Sequence, residues 1–392
     1  MGRRRRDGTA TVAGVAVAMA AAVLVLGPVN GSVAAPVSAA AGTGTGADPL
    51  RDEQYGLDLS GLAGAGRAGA DARGTVVAVL DSGVDAHHPD LAGRLVPGID
   101  LVGGDDRPDD ENGHGTRVAG VIAASQGNGL GIAGGAPGAR IMPVRVIDRT
   151  GATSNAILAE GVRWAVANGA EVINLDLGDP ARCRAGVGLR RGGPLDRALR
   201  GAADDAVIVV AADRADDVAG LYRLAAPVIV AGATEPDGRP ALRHTAPAHS
   251  PQGARAPWEY PRRVSAPGVD IVSTVPGGGY RQASGTSMAA PHVAAEAALL
   301  IGLGADPARA RELITSTAAN PAGDPRLGAG LIDARAAVAV LLLTPLTPQE
   351  AQHAAPRQTA GPLLGVGLVA GVLLLASGSL LLSRTRRRSC PR

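Results

Sequence analysis

Between residues 75 and 231 the chain sets short apolar runs among longer stretches of mixed polarity. The runs at 75–80, 140–146, 171–175, 206–211 and 227–231 are mostly apolar and rich in β-branched residues, and most are bounded by Gly, Asp or Ala. A strand with one wet face alternates apolar and polar residues; a strand covered on both faces does not. The runs therefore read as buried parallel strands. Helical stretches are expected at 114–124, 154–168 and 194–203, with two more at 286–300 and 307–317. Strand and helix in alternation predict an α/β fold, a mostly parallel sheet with helices on both faces. No internal repeat or domain boundary interrupts 48–343, so 75–343 is expected to form one domain. Function in such sheets gathers at the carboxyl ends of the strands, and Asp81 follows the first run directly.

Two other apolar runs are of a different kind. The stretch 11–26 follows Arg3, Arg4, Arg5 and Arg6 and precedes small residues with Ala-x-Ala-like sites near Ala35 and Ala40. That layout predicts a secretory signal peptide over 1–40, followed by a Gly/Ala-rich N-terminal extension over 41–74. The 20 residues 363–382 carry no charge, about the length of a bilayer span. A polar, Pro-containing linker (344–362) precedes them, and a tail (383–392) with Arg384, Arg386, Arg387 and Arg388 follows. The positive-inside rule puts that tail in the cytoplasm. The expectation is a single-pass cell-membrane protein with a transmembrane helix at 363–382 and its body outside the cytoplasm.

Composition sharpens this picture. The formal charge of +2 conceals basic ends and a mildly acidic body, which argues against a nucleic-acid partner. The sequence has no Phe and no Lys, a compositional bias and not a functional signal. Collagen-like, coiled-coil and disulfide-scaffold classes are excluded. Cys183 and Cys390 would lie on opposite sides of the membrane and could not pair within one molecule.

Three segments carry candidate chemistry: Asp81–Ser82–Gly83, Asn112–Gly113–His114–Gly115–Thr116, and Gly285–Thr286–Ser287–Met288–Ala289–Ala290–Pro291–His292. Each sets one reactive side chain among small residues. A serine nucleophile needs a base for its proton, and the base needs a carboxylate to fix its tautomer. His87–His88–Pro89–Asp90 is read as a turn and not a metal cluster. The string Gly129–Leu130–Gly131–Ile132–Ala133–Gly134 follows a helix and precedes a strand, the reverse of a dinucleotide-binding context.

The three segments resemble the active-site motifs of subtilisin-like serine proteases, in the order Asp, His, Ser. The likeness runs from about Gln54 to Ala334. It implies a subtilisin-like fold, with Asp81 as orienting carboxylate, His114 as general base and then acid, and Ser287 as nucleophile. No cofactor or metal is implied, and the partner is a protein or peptide substrate. The layout is most similar to that of the mycosins, membrane-anchored proteases of type VII secretion, and implies a possible link to such a complex.

The resemblance breaks at two places. Where the family carries Gly-Asn after a buried strand, this chain has Asp213–Arg214, so Arg214 replaces the side chain that helps bind the oxyanion beside the Ser287 N–H. Loss of that donor costs about 10²- to 10³-fold in turnover, a value measured on a subtilisin. The strand expected to wall the substrate pocket reads Asp176–Leu177–Gly178–Asp179, and with Asp213 it predicts an acidic cleft biased toward basic residues before the cut. Two readings follow: a serine endopeptidase with a weakened oxyanion hole, or a catalytically impaired relative that acts as a structural partner in a secretion complex.

Overall fold

The structure, a computed structural model, describes residues 46–177, 191–211, 226–241 and 262–344. The expected signal at 1–40, the expected span at 363–382 and the tail at 383–392 lie outside the described residues. Among the described residues no helix is long and apolar enough to cross a membrane.

A seven-stranded sheet forms the centre. Its strands are β1 (Val76–Asp81), β2 (Ile99–Asp100), β3 (Arg140–Arg145), β4 (Val172–Leu175), β5 (Val207–Ala211), β6 (Ile229–Thr234) and β7 (Arg263–Pro267), in the spatial order β2-β3-β1-β4-β5-β6-β7. Every pairing in it is parallel. An antiparallel hairpin, β8 (Ile271–Val275) with β9 (Gly279–Ala283), stands apart from it. The helices are α1 (Tyr55–Leu59), α2 (Leu62–Arg67), α3 (His114–Ala123), α4 (Asn155–Ala167), α5 (Pro194–Ala202), α6 (Thr286–Gly302), α7 (Pro307–Ser316) and α8 (Ala334–Leu343).

The continuous apolar runs follow from the sheet having two dry faces. Successive side chains of a strand point to opposite faces. Val77 and Val79 of β1 join the core that also holds α3 and α6, while Ala78 and Leu80 join the core beneath α4 and α5. All four are fully buried. The chain leaves β1 toward β2 and β3 but leaves β4 toward β5, so the connections diverge between β1 and β4. That divergence opens a crevice at the carboxyl ends of these two strands.

Within the stretch expected as an N-terminal extension, the described residues pack against the rest of the domain. Leu57, Leu62 and Ala65 belong to the larger core. Gln54 exchanges two 2.8 Å hydrogen bonds with the backbone of Ala133, and the Ala334 N–H donates to Ser60 O at 2.9 Å, joining α8 to the turn before α2. Gly and Ala dominate here, so the stretch shows little amphipathic contrast, yet small residues allow close helix contact. The strand β7 and the hairpin were not expected, since neither forms a continuous apolar run. The fifth expected strand, 227–231, begins later and extends to Thr234.

Helix α6 is apolar around its circumference, as a central core helix must be. Fourteen of its 17 residues are buried, six of them alanines. The exception in chemistry is Glu296, which is fully buried, with no hydrogen-bond partner for either carboxyl oxygen among the described residues. Burial, reinforced by Asp333, raises its pKa well above the usual carboxylate range.

A fold that binds the Glu296 proton more tightly than the unfolded chain loses stability as pH rises above the unfolded value of about 4.5. Glu296→Met is expected to stabilise the protein by about 1–3 kcal/mol at pH 8 and by less at pH 4. Urea unfolding at the two pH values measures this; an equal gain at both would contradict the protonation argument.

Candidate active site

Asp81 is the last residue of β1, and its side chain is wholly inaccessible. A buried carboxylate needs donors. The Ser82 N–H supplies one at 2.7 Å. The His114 Nδ1–H supplies the other, 2.8 Å from Oδ2 and 3.0 Å from Oδ1. Because the carboxylate can only accept, Nδ1 must carry the proton, which leaves Nε2 facing the crevice.

His114 is the first residue of α3, and its placement depends on how that helix begins. The N-cap position is Gly113, which has no side chain to cap the exposed N–H groups. Asp110 takes over that role from three residues upstream. Its Oδ1 accepts from the N–H groups of Gly113 at 2.7 Å and Asn112 at 3.0 Å, and from the Ser82 hydroxyl at 2.8 Å. Its Oδ2 accepts from the N–H of Thr116 at 2.9 Å and its hydroxyl at 2.6 Å. The Ser82 hydroxyl accepts in turn from the Gly115 N–H at 3.0 Å. One carboxylate thus ties the residue after Asp81 to the first turn of the helix that carries His114. Gly115 lets the two elements meet: a Cβ there would collide with the Gly83 carbonyl oxygen.

Ser287 is the second residue of α6, partly exposed. The turn before it is fixed to the sheet's carboxyl edge. The Gly285 N–H donates to Gly268 O at 2.7 Å, and the Gly268 N–H to Thr234 O, at the end of β6, at 3.1 Å. Gly285 adopts φ 152°, where a side chain is strained. Helix α6 packs against α3 on the same face of the sheet, so the serine and the histidine both head helices at the crevice end.

A second carboxylate stands on the other side of the imidazole. Leu175 pairs with Leu80 in register, and the Asp176 N–H continues that pairing by donating to Leu80 O at 3.2 Å. Asp176 is therefore the neighbour of Asp81 across the sheet edge, and its Oδ2 lies 3.7 Å from His114 Nε2. The sequence suggested a pocket wall; the geometry sets this carboxylate against the base itself. Burial lowers the His114 pKa and Arg117 acts in the same sense, but Asp81 and Asp176 outweigh both and raise it to about 9.

The other expected residues divide clearly. Leu177 is buried in the core beneath α4 and α5. Gly178, Asp179, Cys183, Asp213 and Arg214 lie outside the described residues. His88 is buried, with one ring nitrogen 3.0 Å from Gly279 O, the other accepting from the Asp90 N–H at 3.2 Å, and an edge-on contact to Tyr280. Those bonds make it part of the packing. Among the described residues, Asp81, His114 and Asp176 form the one grouping of His, Cys, Asp or Glu whose ligand atoms lie close enough to share an ion. Ser82, Asp110 and Arg117 were not singled out from sequence. An Asp three residues before a Gly that starts a helix was the available signal for Asp110.

Comparison with known proteins agrees with this geometry. The profile of the Subtilase family (Peptidase_S8) matches residues 72–331. The thermophilic serine proteinase of Bacillus sp. (strain AK1) is 41% identical over 247 residues, which is 62% of this chain and 56% of that protein. Thermitase of Thermoactinomyces vulgaris is 37% identical over 64% of this chain and 82% of its own length. Subtilisin Savinase of Lederbergia lenta is 35% identical over 69% and 92%, respectively. The crystal structure of fervidolysin from Fervidobacterium pennivorans, a keratinolytic enzyme related to subtilisin, superposes with a TM-score of 0.60 at 29% identity, covering 79% of this chain and 49% of that one. The chain thus spans about half the length of fervidolysin and of the Bacillus proteinase.

Asp110→Ala removes five accepted hydrogen bonds at once. It is expected to cost about 2 kcal/mol or more, above a single cap because the Ser82 link is also lost. Asp110→Asn, which keeps part of the acceptor set, should cost less. Urea unfolding of both variants is the measurement; equal and negligible losses would remove Asp110 from its organising role.

Proposed function

The chain belongs to the subtilase family, and on that footing we propose that it is a serine endopeptidase acting through an acyl-enzyme on Ser287. The observation that carries this reading is the bond between His114 Nδ1 and the buried Asp81 carboxylate, which directs Nε2 away from Asp81 as the nitrogen that would take the serine proton. In the proposed reaction Ser287 Oγ attacks the scissile carbonyl carbon while its proton passes to Nε2. Asp81 retains its bond to Nδ1–H and stabilises the imidazolium. The amine leaves with the proton from Nε2, and water then releases the acyl group by the same route in reverse. Ser287 lies within the first turn of α6, so its N–H has no acceptor within the helix and is available to the oxyanion. Arg214 is the proposed second donor.

The finer reading is of a cell-membrane protease, anchored by 363–382, with its body outside the cytoplasm and a link to type VII secretion. The apolar runs at both ends, the Arg-rich tail and the mycosin-like layout support it. A second reading, an impaired relative serving as a structural partner, is favoured by Asp213–Arg214 and by the carboxylate of Asp176 at Nε2.

Labelling of Ser287 by a peptidyl phosphonate separates the two. Reaction is expected in the parent and absent in Ser287→Ala, with peptide hydrolysis reduced on the order of 10³-fold or more. Because the base must be neutral, the labelling rate should climb with pH through about 9. No labelling at any pH would favour the structural partner.

A reporter enzyme fused after Arg392 is expected to be active in the cytoplasm. Activity confined to the outside would reverse the proposed topology.

A further inference from the structure

The imidazole of His114 is held between two carboxylates, and only one of them serves the proposed reaction. Ligand atoms of Asp81, His114 and Asp176 all lie within 4.8 Å of one another. Asp81 faces Nδ1, the side that the mechanism needs occupied. Asp176 faces Nε2, the side that the mechanism needs free, and its side chain is mostly buried, at 16% exposure. The backbone sets the face from which this side chain projects. Asp176 is fixed by its backbone bond to Leu80 O, one position beyond the Leu80–Leu175 pair, and in a parallel pair such neighbours project to the same face.

Among the described residues, the other charges near the imidazole do not cancel this one. On its own helix stands Arg117, which faces Asp81 and Asp110 and is opposed by Arg281 of β9. From β1 comes Asp81, and from the end of β4 comes Asp176. Helix α6 contributes the hydroxyl of Ser287, which carries no charge. Among the described residues the balance around the ring is two carboxylates against one guanidinium that is itself shared.

We propose that Asp176 is a positioning residue that holds His114 as an imidazolium in the resting protein, and that a cationic side chain of a basic peptide substrate releases it by taking over the Asp176 carboxylate. This deepens the endopeptidase reading and rests on it. In the resting state Nδ1–H faces Asp81 and Nε2–H faces Asp176, so Nε2 has no lone pair for the Ser287 proton. When a guanidinium or ammonium engages Asp176, Nε2–H loses its counter-charge and its proton passes to solvent. Nε2 can then accept from Ser287 Oγ–H. No bond is made or broken other than this N–H, and no co-reactant is needed. Arg suits the role best, since its planar fork matches a carboxylate with two parallel hydrogen bonds. Selection of a basic residue and switching on of the base become one event.

The test has one arm that does not depend on hydrolysis. In the full chain carrying Ser287→Ala, the His114 imidazole is titrated by NMR, with and without Asp176→Asn and with and without saturating benzamidine as the cationic probe. Asp176→Asn is expected to lower the midpoint by a unit or more, a tenfold loss of proton affinity. Benzamidine should lower the parent midpoint similarly and leave the Asp176→Asn midpoint in place. An unchanged midpoint in Asp176→Asn overturns the pairing; an unchanged midpoint with benzamidine overturns the release. Asp176→Ser guards against a local effect of the amide.

The second arm measures kcat/KM at pH 7 on peptide p-nitroanilides with Arg or Leu before the cut. The parent should favour Arg at least tenfold. Asp176→Asn should raise the Leu rate at least tenfold and erase the preference. A parent that cleaves both substrates equally overturns the coupling. Failure to cleave either, with no phosphonate labelling, would refute the endopeptidase reading, while the titration still decides the role of Asp176.

Discussion

A carboxylate with no access to water, at the end of β1 inside the sheet, sets the terms for everything around it. Asp81 cannot be solvated where it stands, so protein donors must come to it. The Ser82 amide is local, but the imidazole arrives from the head of a separate helix. That helix must start at one height and one rotation, and Asp110 fixes both by joining the residue after Asp81 to the helix's first turn. The small residues at 83, 113 and 115 make room for this convergence. Chemistry and architecture are here the same set of contacts.

The register of a parallel sheet exports that constraint sideways. Once Leu80 and Leu175 are paired, the next residues on the two strands stand side by side at the crevice, whatever they are. An acidic residue at 176 therefore enters the electrostatic field of the base without any change in the fold. Burial alone would favour a neutral imidazole, and the two carboxylates reverse the outcome.

Much of this was legible in the sequence, for identifiable reasons. The strands with two dry faces announce themselves as β-branched, mostly apolar runs without polar alternation, and β1, β3, β4 and β5 begin or end within a residue of where the pattern placed them. Asp81 stood out because it ends an apolar run just before Ser82 and Gly83, and His114 because it lies between two glycines. What escaped was information carried by pairing and not by the local string. The position of Asp176 relative to His114 depends on a register between strands almost 100 residues apart. The cap supplied by Asp110 is visible only once the turn after β1 has folded back on it. Strand β7 (Arg263–Pro267) is polar at its first and third positions, where Arg263 and Ser265 bond the 326–330 turn, so its pattern resembles a loop. The N-terminal helices were missed because a string of Gly and Ala has almost no contrast between faces.

That same smallness governs how the protein can change over time. The helix that bears Ser287 meets its neighbours through Ala289, Ala290, Ala294, Ala295, Ala297 and Ala298, all fully buried. Alanine has no smaller replacement except glycine, and any larger one must displace neighbours in a close-packed interior. Neither direction offers a graded series of steps. The position of the serine is thus nearly closed to adjustment by drift, and diversification of this scaffold has to proceed through the crevice rim, where residues such as Asp176 can be exchanged one at a time.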